Sequence, residues 1–103
     1  MRARRFALTE LRVDGARVEL RYGDLVVVAH DGGIGLDWEC VATSADGLPL
    51  EQGAYRLDLV TLEARDFHGD AVLVRSVDGT HVLRGAGDLQ GFELDDLPDD
   101  RPG

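Results

Sequence analysis

Five residues carry side chains of metal-ligand type in suggestive places: His30 beside Asp31, His68 and Asp70 on either side of a glycine, and His81. Imidazole nitrogens with carboxylates suit zinc and related ions. None of them has the compact His-x-x-x-His or Cys-x-x-Cys spacing of a metal motif, so a metal-binding protein or metal-dependent enzyme is the second reading here. It depends on whether these side chains converge in space. The stretch His30-Asp31-Gly32-Gly33-Ile34-Gly35-Leu36-Asp37-Trp38-Glu39-Cys40 also holds the only tryptophan and the only cysteine. A phosphate-binding loop needs a glycine turn that opens a helix, whereas a strand pattern follows this one and no Gly-Lys-Ser/Thr is present. Cys40 shares a strand face with Leu36 and Trp38, where a buried thiol is inert. Asp37 and Glu39 fall on the opposite face, about 7 Å apart by strand geometry, and read as a solvated pair. Ser44 and Ser76 lack the Gly-x-Ser-x-Gly turn of a nucleophile elbow. No catalytic residue and no cofactor is assigned.

A third reading comes from Arg17-Val18-Glu19-Leu20-Arg21 and the later turn at Asp31-Gly32-Gly33. Together they resemble in part the two-part signature of PilZ domains, small β-barrels that bind cyclic di-GMP. The resemblance implies a nucleotide-type ligand held by Arg17, Arg21, Asp31 and Gly33. The chain departs from the pattern at Gly33, where serine belongs, at Leu36, where glycine belongs, and in its shorter gap between the two motifs. It is not assigned to the family.

Composition narrows the choice of partners. The 103 residues suffice for one domain with a real core. Formal charge is −9, from 20 acids against 11 basic residues, all of them arginine. Such a body repels phosphate backbones, so no nucleic-acid partner is expected. The longest apolar run, Leu25 to Ala29, has strand length, so no membrane span is expected. The start lacks the apolar segment of a signal peptide, and a lone cysteine excludes an internal disulfide; both suit a cytoplasmic protein. Residues 1–5 carry +3 and form a basic arm, and residues 95–103, rich in Asp and Pro, form a flexible tail.

Between these ends the pattern is two-residue alternation punctuated by Asp-Gly turns. It predicts an all-β domain over residues 1–94, with about seven mainly antiparallel strands as a barrel or two-layer sandwich. Asp14-Gly15 and Asp78-Gly79 read as hairpin turns, and Gly23-Asp24 as a corner. A phase shift between Leu59 and Val60 predicts a bulge. The expected core includes Val18, Leu20, Val26, Val28, Leu36, Trp38, Leu57, Leu59, Val72, Val74 and Leu83. Val41, Val60 and Leu62 are apolar where the pattern turns them outward. The leading functional expectation is therefore a non-catalytic binding or assembly module, joining a second copy or a protein partner through a sheet face or edge.

Overall fold

The computed structural model describes residues 2–30, 36–47 and 49–97. Seven strands run β1 (Arg2–Val13), β2 (Ala16–Val18), β3 (Leu20–Ala29), β4 (Asp37–Ser44), β5 (Ala54–Thr61), β6 (Asp66–Val77) and β7 (Thr80–Gly85), followed by one 3₁₀ turn at Leu94–Asp96. All the pairings are antiparallel, in the order β2-β1-β3-β4-β7-β6-β5, and β1 also pairs with β5. Six strands thus close a barrel, with β2 as an extra strand. Of the two predicted architectures the barrel is the one adopted.

Closure rests on the length of β1. Its first half, Arg2 to Ala7, pairs with β3; its second half, Leu8 to Val13, pairs with β5, while β2 takes residues 11–13 from the other edge. The basic arm is therefore part of the barrel wall, a correction to the expected free terminus. Arg4 binds Glu63 at 3.0 Å and Arg5 binds Asp24 at 3.2 Å, so acids of the barrel itself meet the arginines.

Both Asp-Gly pairs make the predicted two-residue hairpins, with positive φ at Asp14, Gly15, Asp78 and Gly79. Gly23-Asp24 is no corner: it lies inside β3, where Gly23 passes beside the Leu8 side chain. Strand β3 begins only after a break at Glu19, so Arg17 and Arg21 sit on different strands.

Three bulges decide which side chains face inward. The ladders slip at Arg21 in β3, at Thr9 in β1 and at Val74 in β6. Each extra residue reverses the in-out alternation downstream. After the first, Leu25, Val27 and Ala29 are buried, while Val26 and Val28 face outward, half-covered. In β6 the core residues are Phe67, Ala71 and Leu73, and Val72 and Val74 are exposed. These four valines are corrections to the expected core; Trp38, Leu57, Leu59 and Leu83 are buried, with Val18, Leu20 and Leu36 packed at its margin. The bulge expected in β5 lies across the ladder, at Thr9 of β1. Strand β5 keeps its phase through Thr61, whose buried hydroxyl accepts the N–H groups of Glu63 and Arg65 in the next turn.

One barrel end is closed by Phe6, Phe67 and Phe92, ring centroids 5.0–6.2 Å apart. The chain after β7 is drawn over this end by a bidentate pair, Arg65 Nη1 and Nη2 each donating at 2.8 Å to Asp96. Leu97 is buried, so the expected tail begins later than residue 95; residues 98–103 lie outside the described residues. The Arg65 bonds, then the Glu93 N–H, hold the Asp96 carboxyl down at about 2 from 3.8. A depressed carboxyl stabilises the fold above its unfolded pKa and loses that contribution as pH falls through the folded value. Docking of residues 92–97 is thus expected to weaken between about pH 4 and pH 2. The Phe92 ring resonances should follow it, and Arg65→Gln should remove the transition; an unchanged Phe92 profile in that variant would disprove the latch.

Candidate functional site

The eleven-residue stretch divides at its middle. Residues 31–35, which include Asp31 and Gly33, lie outside the described residues. At its two ends His30 Nε2 and Asp37 Oδ2 are 2.7 Å apart, both exposed. Beyond them the alternation runs as expected: Trp38, Cys40 and Ala42 point inward, and Asp37, Glu39 and Val41 outward. Burial, then the charges of Asp24 and Glu39, push the Cys40 thiol up to about 12, so no thiolate forms near neutral pH. The indole of Trp38 lies across β7 and β6, donating from Nε1 to the Gly87 carbonyl at 2.9 Å. A Cβ on Gly85 would stand 2.3 Å from that ring, and one on Gly69 2.6 Å from it. Tryptophan and glycines are one packing unit, with no group free for chemistry.

The remaining candidate ligands are dispersed among separate partners. His68 on β6 meets Asp58 on β5, Nδ1 to Oδ1 2.6 Å; Asp70 is 3.5 Å from Arg56; His81 points into the barrel from β7. Among the described residues, no three His, Cys, Asp or Glu side chains could hold a metal ion together. Asp31, the remaining member of the set, is not described. Arg17 and Arg21 are both exposed, on either side of the break at Glu19.

Two arrangements escaped the sequence reading. The first is Ser76 with His81, Oγ to Nδ1 2.8 Å. The two-residue turn at Asp78-Gly79 fixes them as cross-strand partners, so the pairing was available from the turn alone; the bulge at Val74 then turns Ser76 inward. Burial lowers the His81 pKa, opposed by the charge of Asp46.

The second arrangement is on the outside of the barrel. The charged outward residues of β1, β5 and the start of β6 are paired, Arg5 with Asp24 of β3, Glu10 with Arg12, Arg56 with Asp70 and Asp58 with His68. Outward positions of β3, β4, β7 and the rest of β6 include six valines, Val26, Val28, Val41, Val82, Val72 and Val74, interspersed with Asp24, Asp37, Glu39, Arg75 and Arg84. Within this face Glu39 and Arg84 are 3.8 Å apart, beside a depression of about 490 Å³ lined also by Val26 and Val28. Of the three expected surface residues, Val41 belongs to this face; Val60 and Leu62 do not, although Leu62 is the most exposed large apolar residue.

Compared with models of known protein families, with curated proteins and with solved structures, the chain matches none.

Proposed function

We propose that the protein is a non-catalytic assembly module whose valine face docks against the same face of a second copy. One observation carries this reading. Strand β3 is apolar on both sides through Leu25-Val26-Val27-Val28-Ala29, yet a closed barrel buries only the side that bears Leu25, Val27 and Ala29. Val26 and Val28 lie on the same outer side as Val41, Val82, Val72 and Val74 of the next three strands, with Asp37, Glu39 and Arg84 set between them in the ladder and Val72 and Val74 exposed at 43% and 47%. Exposed apolar side chains gathered on one side of a fold mark interaction sites.

A second copy fits the charges. The face holds charges of both signs, with Asp37, Glu39 and Arg84 around its depression, and a two-fold axis beside Glu39 and Arg84 pairs Glu39 of each copy with Arg84 of the other. The six barrel strands are closed, and the free edge that remains among the described strands is the three-residue β2, which favours face contact over strand addition as the route. The acidity of the chain is carried largely elsewhere and is screened beyond about 8 Å at physiological salt.

Val74→Glu tests the reading. Its side chain is exposed, so the barrel should stay folded while a charge enters the dimer contact. Sedimentation velocity is expected to give a dimer for the parent chain and a monomer for the variant, with the same circular dichroism. A monomeric parent at high concentration would refute the proposal, as would a dimer indifferent to the substitution.

A further inference from the structure

At the barrel end opposite the phenylalanine cluster, the loop after β4 crosses the interior and leaves a cleft of about 320 Å³. Its lining includes Val13, Val18, Leu50 and Tyr55 with Arg17 and His81. This volume and mixed lining fall within the range of small-ligand sites, which favour barrel mouths.

The state of His81 gives the cleft a directed donor. The residue is 1% exposed. Ser76 Oγ accepts the Leu50 N–H at 3.1 Å and lies 2.8 Å from His81 Nδ1, and in the tautomer that lets the hydroxyl hydrogen be used it donates to Nδ1. The single proton of the neutral ring then sits on Nε2, which has no hydrogen-bond partner among the described residues. No buried side-chain nitrogen or oxygen in those residues is unsatisfied, so Nε2 keeps a narrow opening, and the cleft His81 lines lies beyond it. Arg17 supplies a second donor: its guanidinium, exposed on β2, makes no ion pair with a described residue. Asp46 also lines the cleft but is engaged in an interaction of its own.

We infer that this cleft binds a small apolar carboxylate, its anionic head accepting from Arg17 and the His81 Nε2–H and its hydrocarbon body lying against Val13, Val18, Leu50 and Tyr55. Both donors want an acceptor, the apolar walls want hydrocarbon, and one net charge of the ligand answers the unpaired guanidinium. The inference is independent of the valine face.

The test uses 3-phenylpropionate and its uncharged isostere 3-phenylpropionamide, titrated into the full chain while the imidazole resonances of His81 are followed. A saturable shift with the acid is expected, with the amide about tenfold weaker, the loss of a charge-assisted bond. Arg17→Gln should weaken the acid to the level of the amide without moving the thermal midpoint, because that side chain is exposed and packs little. Asp46→Asn should tighten the acid several-fold by removing a like charge. No saturable shift at His81, equal binding of acid and amide, or full affinity in Arg17→Gln would each overturn the inference.

Discussion

Gly85→Ala is expected to destabilise the fold by about 3 kcal/mol or more, the upper end of overpacking effects. The new methyl carbon would lie 2.3 Å from Trp38 Cε2 and Nε1, closer than any carbon contact. Relief is blocked on both sides. Gly85 is fixed in the ladder opposite Ala71, and the indole is tied to the Gly87 carbonyl and backed by Gly69. Chemical denaturation should show the loss as a lower midpoint at unchanged slope. Trp38→Leu made in the Gly85→Ala background should then cost far less than in the parent chain, because the clash and the ring disappear together. A Gly85→Ala variant within about 0.5 kcal/mol of the parent would show that the ring is not held there.

Acid sensitivity below neutrality is the second effect expected, and its source is His81. Burial lowers its pKa in the fold, so the native ring stays neutral at a pH where an unfolded chain, with an ordinary value near 6.5, takes up a proton. Stability from this residue is complete above about pH 6.5 and declines below it, by up to about 1.4 kcal/mol per pH unit until the native ring also protonates. The Asp46 charge, which favours protonation, limits how far that window extends. Denaturation curves between pH 7.5 and 5 should show the decline in the parent chain and its loss in His81→Leu. Persistence of the same slope in that variant would assign it to another group. The Asp96 latch titrates lower, so the two acid responses separate along the pH axis.

How far the residue order foretold this molecule can be seen strand by strand. Where a strand had one apolar face, as in Asp37-Trp38-Glu39-Cys40-Val41-Ala42, alternation assigned the interior correctly. The Asp-Gly turns fixed two hairpins and their registers, because few residue pairs accept those positive φ angles. Where both faces were apolar, period-two reasoning had to choose a parity. Carrying the phase of Val18 and Leu20 forward led to Val26 and Val28; one added residue at Arg21 transferred burial to Leu25 and Val27. In β6, valine at 72 and 74 looked more core-like than alanine at 71, yet the pairing partners put Ala71 and Leu73 inside. Bulge positions depend on the opposite strand, which for β1 is about fifty residues away, so local pattern does not contain them. The valine face was partly concealed by the same misassignment, Val26, Val28, Val72 and Val74 having been counted as interior while Val41 was expected outside. Ser76 with His81 was the opposite case: a cross-strand neighbour fixed by a legible turn, and overlooked because neither residue belongs to a known motif.

The division of β1 between two partners bears on synthesis. Residues 2–7 can find β3 once Ala29 has left the ribosome, but Val13 waits for Leu57. Until then the inward row Leu8, Leu11, Val13 has no opposite wall, and an emerging chain offers it to whatever passes. Meanwhile β2, folded back at Asp14-Gly15 onto residues 11–13, blocks one flank of the waiting segment, so a three-residue strand that adds little to the finished barrel can act as its guard during translation.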